Sequence, residues 1–249
     1  MNISGNTILI TGGGSGIGRG LAEALHALGN HVVIAGRRRQ VLDETTAANP
    51  GMKSATLNIE DAASIRDFAV QIEKDYPSLN IVIQNAGIMR PENLKSQNLA
   101  DAEAIITTNL LGPIRLTSAL LSLLQKQPHA TVMTVSSGLA FVPLALTPSY
   151  SATKAAIHSY TQSLRHQLRD TKVEVLELIP PYVQTELMGE AQAADPRAMP
   201  LQDYVTETIE ILKTQPTPPE ICVKRVDFLR HAAENGNYDD VFNTINSMH

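Results

Sequence analysis

Short apolar runs alternate with longer amphipathic stretches along most of the chain. The runs are rich in β-branched residues and predict strands at residues 7–11, 31–35, 54–57, 81–84, 131–135, 173–179 and 221–223. Most are separated by stretches with apolar residues at helical spacing, such as 17–30, 61–77 and 149–170. Strands that alternate with helices form parallel βαβ units, so the pattern predicts an α/β, doubly wound sheet. No linker or internal repeat interrupts it, and we expect residues 1–249 to form a single domain.

Composition excludes several classes of function. The chain has 249 residues and a formal net charge of −5, which argues against a nucleic-acid-binding protein. The first residues lack the pattern of a signal peptide, and no run approaches about 18 consecutive apolar residues, so no membrane span is expected. The single cysteine, Cys222, excludes an internal disulfide and a cysteine zinc site. We therefore expect a soluble cytoplasmic protein without a metal site.

The first strand is followed by a glycine-rich turn, "TGGGSGIG", at residues 11–18. The turn lies between a predicted strand and a predicted helix, which is the context of a dinucleotide fingerprint. Its glycines, Gly12, Gly16 and Gly18, would let the backbone approach a pyrophosphate, and the helix N-terminus would offer free N–H donors. The turn predicts a dinucleotide site.

Three consecutive arginines, Arg37, Arg38 and Arg39, follow the second predicted strand. A carboxylate at this place would select NAD, whereas an arginine suits the 2′-phosphate of NADP. The first acid is Asp43, and cations at a helix start are unfavourable unless an anion lies nearby. The cluster favours NADP(H), with Arg37 as the first candidate and Arg38 as the second. Arg39 is expected to face water, and a plain surface cluster stays open as the alternative.

Tyr150 and Lys154 lie four residues apart in "YSATK", near the start of the longest predicted helix, so they share one face. The positive charge of Lys154, with an oxidised nicotinamide ring, would lower the pKa of Tyr150 from its usual value near 10. Such a tyrosine could exchange a proton with a carbonyl or alcohol oxygen.

Six segments together resemble the short-chain dehydrogenases/reductases over nearly the whole chain. They are "TGGGSGIG", "QNAG" (84–87), "TTNLLG" (107–112), "VSSG" (135–138), "YSATK" and "PPYVQT" (180–185), in the order seen in that family. The resemblance implies a Rossmann-type three-layer fold with a seven-stranded parallel sheet. The family usually has Pro-Gly where this chain has Pro180-Pro181. In this feature the chain resembles a subgroup labelled DltE-like oxidoreductases.

The same resemblance implies the site residues. The catalytic set would be Asn109, Ser137, Tyr150 and Lys154, with Ser137 chosen over Ser136 by its spacing from Tyr150. The implied cofactor contacts are Gly12, Ser15, Gly16, Ile17, Gly18, Arg37, Arg38, Asn58, Ile59, Asn85, Ala86, Gly87, Tyr150, Lys154, Val183 and Thr185. Asn109 would hold a water that relays protons. Pro113, four residues later, would free the Asn109 carbonyl for that water, or would simply kink the helix.

The resemblance implies an oxidoreductase that transfers a hydride between NADP(H) and a carbonyl or secondary alcohol, as a homodimer or homotetramer. The uncharged segment 138–149 favours an apolar substrate, although part of it could instead pack at a subunit interface. Residues 183–202 would form a short lid. His158 and Glu177 are interpreted as structural, with proton-path or catalytic roles as the alternatives. A non-catalytic NADP(H)-binding sensor or scaffold of the same fold is the alternative function.

Overall fold

A seven-stranded parallel sheet forms the centre of the molecule, as predicted. The computed structural model describes residues 1–96 and 99–247. The strand order is β3-β2-β1-β4-β5-β6-β7. The strands are β1 (Thr7–Thr11), β2 (His31–Gly36), β3 (Lys53–Thr56), β4 (Leu79–Gln84), β5 (Ala130–Val135), β6 (Val173–Ile179) and β7 (Glu220–Cys222). Each predicted strand is confirmed to within two residues, because continuous apolar runs are typical of strands buried on both faces.

Helices cover both faces of the sheet and complete three layers. On one face, α1 (Gly16–Ala27), α2 (Arg39–Ala48) and α8 (Leu201–Lys213) bury Leu21, Leu42 and Tyr204 against the strands. On the other face, α3 (Ala62–Asp75), α5 (Gly112–Gln125) and α6 (Pro148–Leu168) bury Phe68, Leu116 and Leu164. The Rossmann-type doubly wound fold expected from the sequence is therefore confirmed.

One long helical segment is apolar enough to merit separate description. Helix α4 (Ala100–Ile106), a π-helical turn (Thr107–Leu111) and α5 run on without a break. By length and composition this segment could cross a membrane, although it contains no unbroken run of about 18 apolar residues. Nearly half of its most apolar stretch is buried, and α5 packs on α3, as a core helix does.

The C-terminal part of the chain packs over the segment between Ser137 and Tyr150. It contains the short helices α9 (Asp227–Arg230) and α10 (Tyr238–Asn246); another short helix, α7 (Glu190–Ala193), precedes α8. A small apolar cluster joins Val142 to Leu229 and Ala232, with Phe242 and Ile245 of α10 against it. Part of the uncharged segment after Ser137 is therefore packed against the C-terminus of the same chain.

Candidate active site

The carboxyl ends of the parallel strands bring the sequence-predicted residues to one edge of the sheet. The chain reverses its direction of travel across the sheet between β1 and β4, where open α/β sheets form a crevice for ligands. Around that crevice stand the glycine turn after β1, the arginines after β2, Asn85–Gly87 after β4, Ser137 after β5 and the segment after β6. Residues far apart in the sequence thus share one site.

The glycine turn has no room for a side chain at three of its positions, Gly12, Gly13 and Gly18. A Cβ on Gly18 would lie 2.4 Å from both the Asn85 Nδ2 atom and the Gly12 carbonyl oxygen. Gly12 has a φ of +67°, a region that L side chains rarely adopt, and its N–H donates to the Ala35 carbonyl (2.7 Å). The glycines are therefore required by close packing of the turn onto the end of β4.

The N-terminus of α1 offers donors that no side chain caps. Ser15 is the N-cap residue in extended backbone, yet its hydroxyl makes no capping bond, and the first turn carries no acid. The N–H groups at a helix start need acceptors and favour anions. This donor set, with Gly16 and Ile17 in the first turn, fits a pyrophosphate.

The three arginines have three different partners. The Arg38 guanidinium donates to the Ser15 hydroxyl (3.2 Å) and so lies beside the start of α1. Arg37 instead makes an ion pair with Glu60 (2.6 Å), and Arg39 pairs with Asp43. Of the three arginine side chains, that of Arg38 is therefore the one beside the glycine turn.

Asn58 and Ile59 lie where the chain leaves β3, and only one of them is exposed. Asn58 is exposed and its side-chain oxygen accepts the Glu60 N–H (3.2 Å). The Ile59 side chain is buried in the core against Gly112. Any contact of Ile59 with a cofactor would therefore have to come from its backbone.

Asn85, Ala86 and Gly87 fasten the end of β4 to the end of β1. The Asn85 amide donates to the Thr11 carbonyl (3.1 Å), and the Ala86 N–H donates to the Thr11 hydroxyl (3.1 Å). These bonds hold the floor of the crevice at the point where β1 and β4 separate.

Tyr150 and Ser137 form the buried centre of the other half of the site. Both are less than a tenth exposed. Burial raises the pKa of Tyr150 to about 12, and a side-chain hydrogen bond from Ser137 opposes this rise. The groups of the chain thus keep the Tyr150 phenol protonated at neutral pH. The lowered pKa expected from the sequence depended on Lys154 together with an oxidised nicotinamide ring, and for the cofactor-bound state it stays a prediction.

Lys154 lies one helical turn after Tyr150, with its charged end beside the tyrosine ring. Its Nζ atom is 5.3 Å from the ring centroid and donates to the Val135 carbonyl (2.8 Å). Burial lowers the pKa of Lys154 to about 8, and the negative charge of Glu177 opposes this fall. The spacing of four residues therefore places both groups on one face, as predicted.

Asn109 lies in the π-helical turn and is held by the chain segment after β4. Its side-chain oxygen accepts the Ile88 N–H (2.9 Å), and its Nδ2 donates to the Ile88 carbonyl (2.9 Å). Pro113 stands in the first turn of α5, just after the π-helical turn, in which Gly112 donates to Thr107. The helix interruption expected at Pro113 is thus a π-helical turn, and the water relay stays a prediction.

Val183 and Thr185 begin the predicted lid, and they point to different places. Val183 is buried in the core and pairs with Met199. Thr185 lies against the glycine turn, since a Cβ on Gly16 would be 3.4 Å from it. Gln192 of α7 donates to the Val183 carbonyl (2.9 Å) and the Thr185 hydroxyl (3.2 Å), so it ties the lid segment together.

Two glutamates that the sequence analysis did not select also hold the site. Glu60 binds Arg37 and accepts from the Thr108 hydroxyl (3.0 Å). Glu92 accepts both the N–H and the hydroxyl of Ser149 (2.9 and 2.7 Å) at the N-terminus of α6. A glutamate near a helix N-terminus stabilises the helix, and such a residue can be recognised in a sequence when it is part of the helix. Glu92 lies far from α6 in the sequence, so its role could not be recognised in that way.

The uncharged segment after Ser137 is only partly available to line a pocket. Val142 and Leu144 are buried, and Val142 belongs to the C-terminal cluster. Phe141 packs its ring against His158 and Arg230. Leu139 and Leu146 are half-buried leucines of this segment outside that cluster, and they stay candidates for lining the pocket.

A second cleft, of about 600 Å³, lies at the opposite edge of the sheet. It is lined by residues such as Asn6, His129, Arg169 and Lys172. None of the sequence-predicted site residues is part of its lining, so it is separate from the site described above.

Known proteins resemble this chain in sequence and in structure. A family model described as short chain dehydrogenase matches residues 6–196. An uncharacterized oxidoreductase DltE of Bacillus subtilis strain 168 is 38% identical over 254 residues, covering 100% of this chain and 99% of that protein. An uncharacterized oxidoreductase of Staphylococcus aureus strain MRSA252 is 28% identical and covers 84% of this chain and 90% of its own.

Solved structures share the fold at lower identity. A short chain dehydrogenase from Burkholderia cenocepacia in complex with NADP has a TM-score of 0.82 at 22% identity, covering 98% of this chain and 99% of its own. One from Burkholderia phymatum in complex with NAD has a TM-score of 0.82 at 21% identity, covering 96% of each chain. The family match and the full-length relative together show that this chain belongs to the short-chain dehydrogenase family.

Proposed function

We propose that the chain is a cytoplasmic NADP(H)-dependent oxidoreductase that interconverts an apolar carbonyl compound and its secondary alcohol. One observation carries the proposal: Ser137, Tyr150 and Lys154 form a buried cluster at the same sheet edge as the uncapped start of α1. A binding protein would need the helix start but not a buried acid beside a lysine. Residues 1–249 would act as one catalytic domain, in a homodimer or homotetramer.

The residues of the crevice fit a dinucleotide. The start of α1 would bind the pyrophosphate, Asn85–Gly87 would lie under the adenosine ribose, and Thr185 would contact the nicotinamide carboxamide. One of the similar structures contains NADP and the other contains NAD, so they favour neither cofactor for this chain. The preference for NADP(H) is argued from the arginines instead. We assign the 2′-phosphate first to Arg38, because it stands beside Ser15, whereas Arg37 is engaged by Glu60.

Tyr150 would be the general acid in carbonyl reduction and the general base in alcohol oxidation. NADP(H), when bound, would supply or accept the hydride. The raised pKa of Tyr150 keeps a proton on its oxygen at neutral pH, so that it can be donated to the substrate oxygen. Ser137 would donate a hydrogen bond to the same substrate oxygen and stabilise the charge that develops there.

Lys154 would act on Tyr150 and on the cofactor. Its ammonium group beside the ring favours the ionised phenol once the proton has left. The same group would hydrogen-bond the nicotinamide ribose. Asn109 would hold the relay water, since its side chain is fixed at the adjacent segment by two bonds to Ile88.

An apolar substrate is supported by the side chains near Tyr150. Leu139 and Leu146 are half-buried beside it in sequence, and Leu187 of the lid segment is exposed. Arg90, the cation that the sequence offers as an anchor for a substrate carboxylate, is paired with Asp101 (2.5 Å). A substrate carboxylate would have to displace Asp101 in order to bind Arg90.

The test is a panel of carbonyl compounds and alcohols, with oxidation of NADPH and of NADH followed by absorbance. We expect turnover of apolar ketones or aldehydes with NADPH, and weaker turnover with NADH. Binding of NADPH without turnover of any compound, with Tyr150→Phe unchanged in every assay, would instead support a sensor or scaffold.

A further inference from the structure

The inner face of α6 carries a polar stripe that continues beyond the proposed catalytic residues. Its members, about one per helical turn, are Lys154, His158, Thr161 and Arg165. Each faces β5 or β6 through a hydrogen bond: Lys154 binds the Val135 carbonyl, and Thr161 binds the Thr134 hydroxyl (2.7 Å). Polar side chains on a buried helix face need partners of this kind.

The partner of His158 is Glu177, a carboxylate on β6 that is 0% exposed. The His158 Nδ1 atom lies 3.0 Å from each Glu177 oxygen. Glu177 is in register with Thr134, and the next residue of β5, Val135, accepts the Lys154 ammonium. The Glu177 side chain therefore lies on the face of the sheet that packs against α6, where its charge acts on Lys154. Burial of such a charge is costly unless it is paired.

Both ring nitrogens of His158 have hydrogen-bonding partners. The Gln162 amide nitrogen is 3.1 Å from the His158 Nε2 atom. In the tautomer whose Nε2 accepts this amide N–H, Nδ1 carries the proton that is donated to Glu177. That hydrogen bond orients the Glu177 carboxylate.

The other charges around Glu177 are largely paired with each other. Glu220 of β7 is in register with Glu177, and the Arg230 guanidinium donates to the Glu220 carboxylate (2.8 Å). Arg165 donates to backbone carbonyls. Among the described residues, the titratable or charged groups that face Glu177 include Lys154 and His158 of α6 and Glu220 and Cys222 of β7. Arg165 of α6, and Asp227 and Arg230 of α9, lie next to these groups.

We propose, on the basis of the function proposed above, that His158 and Glu177 form a positioning pair for Lys154. Glu177 supplies the buried negative charge that keeps Lys154 in its ammonium form, and His158 holds the Glu177 carboxylate in place through its hydrogen bond. Neither residue touches substrate or cofactor.

The pair has a consequence for the dependence on pH. Burial lowers the pKa of Lys154 to about 8, so the amine is close to losing its proton under ordinary conditions. Removal of the Glu177 charge takes away the effect that opposes burial, and the pKa of Lys154 falls further. Loss of an opposite charge at short range shifts a pKa by about one unit or more. Carbonyl reduction should then decline at a lower pH than in the unaltered protein.

The central experiment compares Glu177→Gln with Glu174→Gln. Glu174 lies on the same strand and pairs with the N-terminal amine (2.8 Å), so it is a matched loss of one carboxylate away from Lys154. The first readout is the pH profile of kcat for carbonyl reduction with NADPH. The second is the NMR titration of the full chain labelled with ¹³C at the lysine ε-carbons, with the Lys154 signal assigned by Lys154→Arg.

We expect Glu177→Gln to move both midpoints down by about one pH unit, and Glu174→Gln to move neither. His158→Ala should move them in the same direction by less, and His158→Gln, which restores an amide donor, should reverse that change. If Glu177→Gln does not fold, the pH profile of kcat and the NMR titration of the two His158 variants test the proposal instead. An unmoved Lys154 signal in every folded variant would overturn the proposal.

The NMR titration separates this proposal from the proposed function. If the panel shows no turnover, the function fails, while a shifted Lys154 signal still supports the pairing. His158, Glu177 and Glu220 also come within 4.8 Å of one another. A stoichiometric response of the Lys154 signal or of kcat to zinc, reversed by EDTA, would show a metal site and overturn the positioning role.

Discussion

The cofactor half and the catalytic half of the crevice are built by different means. In the cofactor half, around β1 and β2, the site consists of main chain: the turn at Gly12 to Gly18 and the uncapped start of α1. The side chain proposed to bind the 2′-phosphate, that of Arg38, lies at the surface. In the catalytic half, around β5 and α6, the site consists of the buried side chains of Ser137, Tyr150 and Lys154.

This difference determines what each half can tolerate. A backbone-built site depends on space, because a single Cβ at the wrong place meets neighbouring atoms. A site of buried ionisable groups depends on charge, because in a poorly solvated setting each group alters the pKa of the next. Substitutions should therefore act on binding in the first half and on chemistry in the second.

The largest effect should come from Tyr150→Phe. Loss of the phenol removes the proposed general acid, whose contribution is typically about a hundredfold to ten-thousandfold in rate. We expect kcat to fall by that amount with the Kd of NADPH little changed, as measured by single-turnover kinetics and fluorescence titration. Tyr160→Phe, a half-buried tyrosine on the same helix, is the control. A fall of less than tenfold would contradict the assignment.

Gly18→Ala tests the backbone-built half. The added Cβ would lie 2.4 Å from the Gly12 carbonyl oxygen, so the turn must move. Overpacking of this kind costs about 1–3 kcal/mol, and the displaced turn should weaken NADPH binding by about tenfold or more. Calorimetry and thermal unfolding measure both. Gly36→Ala, with only an ordinary contact at 3.7 Å to Leu42, should change neither; unaltered binding by Gly18→Ala would refute the role of the turn.

Arg38→Ala against Arg37→Ala sharpens the assignment of the 2′-phosphate. A hydrogen bond to a charged group contributes about 1.5–3 kcal/mol, which is roughly tenfold or more in KM. We expect this rise for NADPH with Arg38→Ala, a smaller one with Arg37→Ala because Glu60 engages that side chain, and little change for NADH with either. A larger effect at Arg37 would restore the order expected from the sequence.

The smallest effect should come from Asn246→Ala, at the border of the catalytic half. The Asn246 amide accepts the Ala145 N–H (2.6 Å) and donates to the Pro143 carbonyl (3.2 Å). Its loss should lower the free energy of unfolding by about 1 kcal/mol and raise the substrate KM a few-fold at constant kcat. Thermal unfolding and steady-state kinetics, with exposed Asn243→Ala as the control, check this. An altered kcat would mean that the C-terminal helix does more than hold the segment.

Patterns local in the sequence predicted much of the fold and of the site. The buried strands are continuous apolar runs, and the glycine turn and the pair at Tyr150 and Lys154 depend on spacing within one element. Partners across elements were not predictable in this way. The pairing of Glu92 with Ser149 joins segments 57 residues apart, and nothing near either residue indicates it.

The sequence by itself determined the family, the parallel sheet and the identity of the proposed catalytic residues, because those depend on periodicity and on motifs of a few neighbouring residues. Only the tertiary structure decided which of two adjacent arginines faces the glycine turn, since Glu60 engages the other. It also decided how far Tyr150 is buried, which raises the pKa of its phenol, and which face of the sheet carries Glu177. These properties depend on burial and on distances between separate elements. Burial and such distances are defined only once the chain has folded.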